Sequence, residues 1–285
     1  MSIWNDLSWV EGIRTPFLNF FFYNVSLTGY PIFLFLFIAF GYFFWSPQRF
    51  SRVAMLLFIS AVINSFLKDF FQDPRPPADF MLDGGIGTSY GWPSGHAQIA
   101  VTLWGLLAYE LKNKFISIGA ITFILLVAFS RMYLGVHDLG DVVAGLLIGG
   151  FILLLWHYAV VYKLYEKFDK LSWFFILIAF QFFVHLLYPS HEEHEISNWL
   201  LGAMTGWFLG ASNLVITSNN LVKLVLSLIS TVAVFFTMIF LFQLEGLVEL
   251  SGLISILYSY SLGLFFSIFV SWVIPRFWKL FNLAN

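Results

Sequence analysis

Residues 115–134 read FISIGAITFILLVAFSRMYL, and residues 139–162 read LGDVVAGLLIGGFILLLWHYAVVY. Each stretch is long and apolar enough for the roughly 20 helical residues that cross a hydrocarbon layer of about 30 Å. No segment alternates strictly between apolar and polar side chains, as the strands of an outer-membrane barrel do. The two stretches therefore predict membrane-spanning helices.

Seven further apolar stretches surround these two, over residues 30–45, 52–67, 95–111, 172–188, 197–216, 221–243 and 252–275. Of the 285 residues, 60% are hydrophobic and 11% are charged, whereas about 25% are charged in ordinary soluble domains. So little polar surface could not cover a water-soluble particle of this size. We predict an all-α fold, a polytopic transmembrane helix bundle of about nine spans.

The N-terminal segment differs from the predicted spans. Apolar residues recur at helical spacing from Ile3 to Phe17, but charged residues interrupt them and Pro16 breaks the pattern. This pattern predicts an interfacial helix within residues 1–29, and the segment lacks the basic start and cleavage site of a removable signal peptide. We divide the remainder into a core of residues 30–170 and a C-terminal transmembrane extension of residues 171–285.

The net charge and the cysteine count exclude several classes of function. A formal net charge of −2 provides no basic field for nucleic acid, so we expect no nucleic-acid partner. The chain has no cysteine, which excludes a disulfide scaffold, a thiol nucleophile and any Cys-ligated metal. Neither observation indicates an oligomeric state.

Basic residues fall unevenly when alternate loops are assigned to opposite sides of the membrane. Ten of the 14 lie on one side: Arg49, Arg52, Lys112, Lys114, Lys163, Lys167, Lys170, Lys223, Arg276 and Lys279. That side is predicted to be cytoplasmic by the positive-inside rule. Three of the other four, Lys68, Arg75 and Arg131, lie at or beside span ends on the disfavoured side, where ionisable groups indicate a functional site.

The residues around these three cations indicate that their partner is an anion. Pro93, Ser94, Gly95 and His96 open the third predicted span, where free backbone N–H groups can bind an anion and Gly95 lets it approach closely. His137 and Asp141 begin the fifth span at positions i and i+4, so their side chains share one helix face. Asp138 is adjacent to His137 and faces elsewhere, so we expect it to cap the helix.

The segments Lys-x6-Arg-Pro at 68–76, Pro-Ser-Gly-His at 93–96 and Ser-Arg-x5-His-x3-Asp at 130–141 occur in this order. They resemble the three signature motifs of the type 2 phosphatidic acid phosphatase superfamily, and every signature position matches. The motifs cover about a quarter of the chain. The nine-span layout is similar to the glucose-6-phosphatase branch, whereas small bacterial members have about six spans.

The resemblance implies a metal-free and cofactor-free phosphatase that acts through a phosphohistidine and is inhibited by vanadate. It implies that His137 is the nucleophile, that Asp141 orients it, and that His96 is the general acid. The residue chemistry agrees, because a carboxylate at i+4 can hold one imidazole nitrogen protonated while the other attacks phosphorus. The residues expected to bind the phosphate are Lys68, Arg75, Ser94, Gly95 and Arg131.

We therefore expect an integral membrane phosphatase that hydrolyses a lipid phosphate or diphosphate at the periplasmic, extracellular or luminal face. For a bacterial protein, the inner (plasma) membrane is the expected location. Two alternatives remain. In the first, the substrate is a sugar phosphate, which the span layout suggests. In the second, the protein is an anion transporter or channel, which would need charges along the depth of the bundle.

Acidic and histidine residues outside the motifs raise the question of a metal site. Asp69, Asp73, Asp79 and Asp83 could suggest a hard-cation site, but we expect solvated loop carboxylates. His191 and His194 are three residues apart rather than four, so they do not form the His-Glu-x-x-His zinc motif. We expect these two to be loop residues and predict no metal ligand.

Overall fold

The computed structural model describes residues 4–86, 89–188, 195–211, 219–248 and 250–283. Within those ranges the regular structure is entirely helical, which confirms the predicted all-α class. The helices are α1 (Ser8–Ile13), α2 (Pro16–Leu27), α3 (Pro31–Trp45), α4 (Pro47–Phe71), α5 (95–111), α6 (Lys114–Tyr133), α7 (Leu139–Val161), α8 (Lys170–Leu187), α9 (Glu195–Gly210), α10 (Asn220–Leu247) and α11 (Gly252–Leu280).

Six of the described helices, α4, α6, α7, α8, α10 and α11, are long and apolar enough to cross a membrane. The pair α2 and α3 passes the same test together but is bent by 56°, which raises the number to as many as seven. Of the other predicted spans, α5 contains a π-helical segment at Val101–Gly105 and α9 has 16 residues. The predicted number of nine spans is not confirmed.

Side-chain caps are present at the start of several of these helices. The Asn113 side chain accepts from the backbone N–H groups of Phe115 and Ile116 at the start of α6. Asp138 caps α7 in the same way, as predicted, and its carboxylate accepts from the amide of Asp141 at 2.9 Å. Such caps satisfy backbone donors that the first helical turn leaves without partners.

The chain forms two compact units, one of residues 1–30 and 63–190 and the other of residues 31–62 and 191–285. Helix α4 continues from the second unit into the first. These boundaries differ from the predicted segments 1–29, 30–170 and 171–285, which remain predictions.

Close helix packing within each unit depends on glycine. In the first unit, a Cβ atom at Gly145 of α7 would lie 2.5 Å from the carbonyl oxygen of Ser94, where α5 begins. In the second unit, a Cβ at Gly202 of α9 would lie 1.9 Å from the carbonyl oxygen of Tyr260 in α11. Both distances are too short for a larger residue, so glycine allows the backbones to approach.

Helices α1 and α2 occupy the segment for which one interfacial helix was predicted. Pro16 begins α2, with the Thr15 side chain accepting from the amide of Leu18, so the proline starts a helix here. Val10 of α1 is buried in a cluster that includes Tyr133 at the end of α6. The segment is therefore packed within the first unit, against the end of α6.

Candidate active site

The three motifs of the sequence meet in the first unit because each lies at a helix end. The first begins in the last turn of α4, the second begins α5, and the third runs from the end of α6 into the start of α7. Asn64 links α4, which carries Lys68, to the start of α5, since its side-chain amide donates to the carbonyl oxygen of Pro93 at 3.2 Å and to Gln98 at 2.9 Å.

His137 and Asp141 contact each other, as their spacing predicts. The His137 Nδ1 atom lies 2.9 Å from Asp141 Oδ2, and each side chain is 2% exposed. Asp141 Oδ2 also accepts from the backbone N–H of Asp138 at 3.3 Å, which completes a capping box at the start of α7. The carboxylate is thus held by the helix terminus while it contacts the imidazole.

Arg75 contacts the other nitrogen of the same imidazole. Its terminal nitrogen lies 3.3 Å from His137 Nε2 and also donates to the carbonyl oxygen of Val136 at 2.9 Å. A guanidinium can only donate, so this contact requires His137 Nε2 to accept. The proton of a neutral His137 must then be on Nδ1, where it is donated to Asp141. Ser89 holds the rest of the guanidinium through its carbonyl oxygen and hydroxyl.

Lys68 extends from α4 into the loop that precedes α5. Its ammonium group donates to the carbonyl oxygens of Tyr90 and Gly91, the latter at 3.0 Å. The residue is 8% exposed. Because backbone carbonyls are neutral, these hydrogen bonds do not themselves neutralise the positive charge of Lys68.

Arg131 is 1% exposed and pairs with a carboxylate that is distant in sequence. One of its terminal nitrogens lies 2.9 Å from Asp83 Oδ2, and the same nitrogen donates to the hydroxyl of Ser26. Asp83 is 2% exposed, so the prediction that it is a solvated loop carboxylate is wrong. The amide of Leu82 donates to the carbonyl oxygen of Leu134 at 2.8 Å, which brings the loop beside α6.

The backbone between Arg131 and His137 turns sharply at Gly135. This glycine has a φ of +71°, and a Cβ atom there would lie 2.0 Å from the carbonyl oxygen of Phe80. Only glycine fits both the left-handed conformation and the close approach. The turn therefore allows the two motif residues to reach the same site.

The Pro-Ser-Gly-His segment places three functional groups at the start of α5. The hydroxyl of Ser94 does not cap the helix, and the backbone N–H of Ser94 donates to the carbonyl oxygen of Asp141 at 3.0 Å. The ring of His96 lies edge-on to Tyr30, with 4.8 Å between centroids. A Cβ at Gly29 would lie 2.2 Å from the His96 ring, so Gly29 provides the space that the imidazole occupies.

Three motif residues present buried polar atoms that have no hydrogen-bond partner among the described residues. These atoms are Ser94 Oγ, His96 Nε2 and Arg131 Nε. Native proteins pair nearly all buried polar atoms, so each unpaired atom needs an explanation. Ser94 Oγ and Arg131 Nε can each donate a hydrogen bond to an anion, and His96 Nε2 can do so when it carries a proton, which suits a phosphate group.

The burial and charge of the site affect the protonation of its loop residues. Burial, assisted by the positive charges of Lys68 and Arg131, lowers the pKa of His137 well below its ordinary value. Burial would raise the pKa of Asp83, but the hydrogen bond from Tyr30 and the charge of Arg131 outweigh it, and the pKa is lowered. His137 is thus kept neutral and Asp83 ionised.

The acidic loop does not form a metal site within the described part of the chain. No group of three or more His, Asp or Glu side chains there is arranged to hold a metal ion. Asp69 accepts a hydrogen bond from the hydroxyl of Tyr188 at 2.6 Å, and Asp79 is exposed. His191 and His194 lie outside the described residues.

Several polar residues that were not predicted to belong to the site contact its members: Ser26, Tyr30, Asn64, Asp83 and Ser89. Each is polar, but none belongs to a recognisable motif or repeats at a regular spacing. The segment 1–29, which was predicted only to lie at the membrane interface, supplies Ser26, and Tyr30 follows it directly.

Several known proteins are similar to this chain in sequence. The sequence profile of the PAP2 superfamily matches residues 49–165. A protein named lipid A 4'-phosphatase from Porphyromonas gingivalis is 30% identical over 169 residues, which cover 55% of this chain and 70% of that protein. The protein of the same name from Bacteroides thetaiotaomicron is 31% identical, with 51% and 71% covered.

More distant matches include other phosphatases. The phosphatidylglycerophosphatase B of Bacillus subtilis is 29% identical over 150 residues, which cover 48% of this chain and 72% of that protein. The crystal structure of a transmembrane PAP2-type phosphatidylglycerolphosphate phosphatase from the same organism superposes with a TM-score of 0.48 at 27% identity, covering 57% of this chain and 84% of that chain.

Proposed function

The chain belongs to the PAP2 superfamily, and on this basis we propose that it is a membrane phosphatase that removes phosphate from a lipid. Relatives that are named lipid A 4'-phosphatase, phosphatidylglycerophosphatase B and sphingosine-1-phosphate phosphatase support a lipid substrate. They share the reaction class but differ in the lipid, so the substrate must be found by assay.

One observation carries the proposal. The imidazole of His137 lies between a carboxylate on Nδ1 and a guanidinium on Nε2, at 2.9 Å and 3.3 Å. This arrangement places the lone pair of the neutral imidazole on Nε2, where it accepts from Arg75, so the guanidinium must turn to the bound phosphate before Nε2 attacks. An anionic phosphorus centre is the electrophile that such a nucleophile and cation would bind together.

In the first step, His137 Nε2 attacks phosphorus and the bond from phosphorus to the lipid oxygen breaks. Asp141 accepts the Nδ1 proton in a hydrogen bond throughout and stabilises the positive charge that forms on the imidazole. His96 donates a proton to the leaving lipid oxygen as general acid. The products of this step are the dephosphorylated lipid and phosphohistidine 137.

In the second step, water attacks the phosphorus of the phosphohistidine. His96, now neutral, accepts a proton from that water as general base, and the bond from phosphorus to His137 Nε2 breaks. Inorganic phosphate leaves, and His137 returns to the neutral state in which it began. The cycle requires no metal ion and no cofactor.

Binding of the phosphate is assigned to the remaining motif residues. A phosphomonoester carries a charge of about −1.5 to −2 at neutral pH, and Lys68, Arg75 and Arg131 provide the positive charge that offsets it. The hydroxyl of Ser94 and the amide of Gly95 add neutral donors at the N-terminal end of α5, where the helix dipole favours an anion. Hydrogen bonds of this kind strengthen as charge develops in the transition state.

The active site is proposed to face the periplasm, the cell exterior or an organelle lumen. When alternate loops of the predicted nine-span layout are assigned to opposite sides, the motif cations fall opposite ten of the 14 basic residues, and the positive-inside rule predicts that those ten are cytoplasmic. Helix ends lie near the level of the lipid headgroups. A lipid phosphate could therefore reach the site while its acyl chains remain in the bilayer.

Phosphate release by the purified protein tests the proposal. The substrates to be compared are lipid A 4'-phosphate, phosphatidic acid, phosphatidylglycerophosphate, isoprenyl diphosphate, a sphingoid phosphate and glucose 6-phosphate, and they form the assay panel. We expect kcat/KM for the best lipid to exceed that for glucose 6-phosphate by at least about tenfold, or 1.4 kcal/mol, which a few buried methylenes supply. Equal or faster hydrolysis of glucose 6-phosphate would favour the sugar-phosphatase alternative.

The variant His137→Ala should fold and release no phosphate, with His157→Ala as the matched control. His157 is an exposed histidine on α7, the helix that begins beside His137, and its ring contacts Tyr109. Activity close to the wild-type value in His137→Ala would exclude the phosphohistidine mechanism. Absence of hydrolysis across the panel, together with anion flux in proteoliposomes, would favour the transporter alternative.

A further inference from the structure

Asp83 is the acidic residue that lies among the anion-binding groups without belonging to any motif. It is 2% exposed and accepts hydrogen bonds from three directions. Arg131 donates to Oδ2 at 2.9 Å, the hydroxyl of Tyr30 lies 2.7 and 2.8 Å from the two oxygens, and the amide of Gly85 donates to Oδ1 at 3.0 Å. A carboxylate this well satisfied is fixed in position.

The contact between Asp83 and Arg131 uses only part of the guanidinium. Asp83 and Ser26 share one terminal nitrogen, whereas Nε of Arg131 is buried without a partner. The edge of an arginine that includes Nε is one that binds carboxylate and phosphate groups in a two-pronged manner. Asp83 therefore holds Arg131 by one nitrogen and leaves Nε for a phosphate oxygen.

Tyr30 connects Asp83 to the proposed general acid. Its hydroxyl is bonded to Asp83, and its ring lies edge-on to the ring of His96 at 83° between planes. Gly29, which precedes Tyr30 in sequence, also lies against the imidazole of His96. The position of Asp83 therefore affects Arg131 directly and His96 through one aromatic ring.

Asp83 also reduces the positive charge of the site. The site contains three positive side chains, Lys68, Arg75 and Arg131, and two negative ones, Asp141 and Asp83. A carboxylate beside Arg131 must weaken the attraction of that cation for phosphate in the ground state, including the phosphate product. A residue that costs binding affinity in this way needs a compensating role in the reaction.

We propose that Asp83 and Tyr30 are positioning residues, which orient Arg131 toward the phosphate and support His96 while limiting the affinity of the site for free phosphate. The inference rests on the proposed phosphatase function. It extends that function to two residues outside the motifs, Tyr30 between α2 and α3 and Asp83 on the loop after α4.

The deciding variant is Asp83→Asn, which keeps the size of the side chain and an oxygen that can accept from Tyr30 but removes the charge. Its matched control is Asp79→Asn, an exposed carboxylate in the same loop. The measurements are kcat and KM with the best wild-type substrate, the Ki of inorganic phosphate, and the rise in unfolding temperature that phosphate produces in detergent solution.

We expect kcat of Asp83→Asn to fall roughly ten- to a hundredfold, as small misplacements of catalytic groups do. The Ki of phosphate should fall at least about threefold, because removing a unit charge beside Arg131 strengthens anion binding. Phosphate should also raise the unfolding temperature more in this variant than in the wild type. A purely structural role predicts weaker phosphate binding, so a higher or unchanged Ki overturns the proposal, as does an unchanged kcat.

The variant Asp83→Asn could fail to fold because Arg131 would become a buried charge without its partner. In that case Tyr30→Phe tests the proposal. This variant keeps the ring against His96 and removes only the hydroxyl. We expect kcat to fall several-fold with KM little changed, and an unchanged kcat overturns the proposal. Wild-type protein without phosphatase activity would refute the proposed function instead, whereas the phosphate-dependent unfolding shift tests Asp83 without turnover.

Discussion

The Nδ1 atom of His137 lies 2.9 Å from Oδ2 of Asp141, and the helix cap at Asp138 holds that carboxylate in place. The cap and the imidazole thus share one carboxylate. Since α7 begins at this point, the orientation of the proposed nucleophile is fixed by the start of a helix.

The variant Asp141→Asn should separate the effect of the Asp141 charge on the His137 imidazole from the effect of side-chain packing. The amide fills the same space but lacks the charge that stabilises a cationic imidazole, so we expect kcat to fall on the order of 10³- to 10⁴-fold. Asp138→Asn is the matched control, because asparagine caps helices as well as aspartate, and its activity should stay within about threefold of wild type. Similar losses in the two variants would contradict the role given to Asp141.

His96→Ala should impair substrates according to their leaving group. Protonation of the leaving oxygen matters most for an alkoxide and least for a nitrophenolate, so the loss in kcat should be much larger for a lipid phosphate than for nitrophenyl phosphate. The measurement is the ratio of kcat between wild type and variant for each substrate. Equal ratios for both would exclude His96 as general acid.

Vanadate should inhibit the enzyme and chelators should not. Vanadate can adopt the trigonal-bipyramidal geometry of phosphoryl transfer on His137, and mimics of a transition state bind more tightly than substrates. Lys68, Arg75 and Arg131 provide the positive charge that a metal ion supplies in other phosphatases. Loss of activity in EDTA, with recovery on adding magnesium, would indicate instead that the acidic loop binds a metal.

The pH profile should show an acidic limb below pH 6.5. Burial, with help from Lys68 and Arg131, lowers the pKa of His137 from its ordinary value of 6.5, so the imidazole remains a neutral nucleophile below that pH. The same shift makes the free energy of unfolding depend on pH. The contribution of His137 to that free energy is fully present above pH 6.5 and is lost as the pH falls through the folded-state pKa. The measurement is kcat/KM against pH.

Substrates with different second phosphate pKa values provide the control for that profile. A limb that belongs to His137 stays at the same pH for each substrate, whereas a limb that belongs to the substrate moves with it. A substrate-independent limb above pH 6.5 would show that the imidazole is not held neutral.

Single cysteines should report the orientation in the membrane, because the chain has no cysteine of its own. Asp79→Cys, in the exposed loop after α4, should react with a membrane-impermeant maleimide in intact cells. Lys114→Cys, at the start of α6, should react only after the membrane is permeabilised. The reverse pattern would place the active site on the cytoplasmic side.

The local features of this protein were determined by its sequence. His137 and Asp141 share a helix face because they are four residues apart, and Asp138 caps α7 because its short side chain reaches the backbone N–H of Asp141. The apolar stretches likewise indicated the all-α membrane class, since hydrophobic length and helical period are properties of a continuous segment. These contacts span four residues or fewer.

The contacts between distant segments were decided only by the tertiary structure. Asp83 lies 48 residues from Arg131 and 53 from Tyr30 in sequence, and no spacing rule relates such positions. An aspartate in a polar loop predicts a solvated carboxylate, and this prediction failed because the loop is hydrogen-bonded to Leu134 and carries Asp83 into a buried site. A buried cation and a buried carboxylate then pair, since each is costly alone, and only the folded chain brings them together.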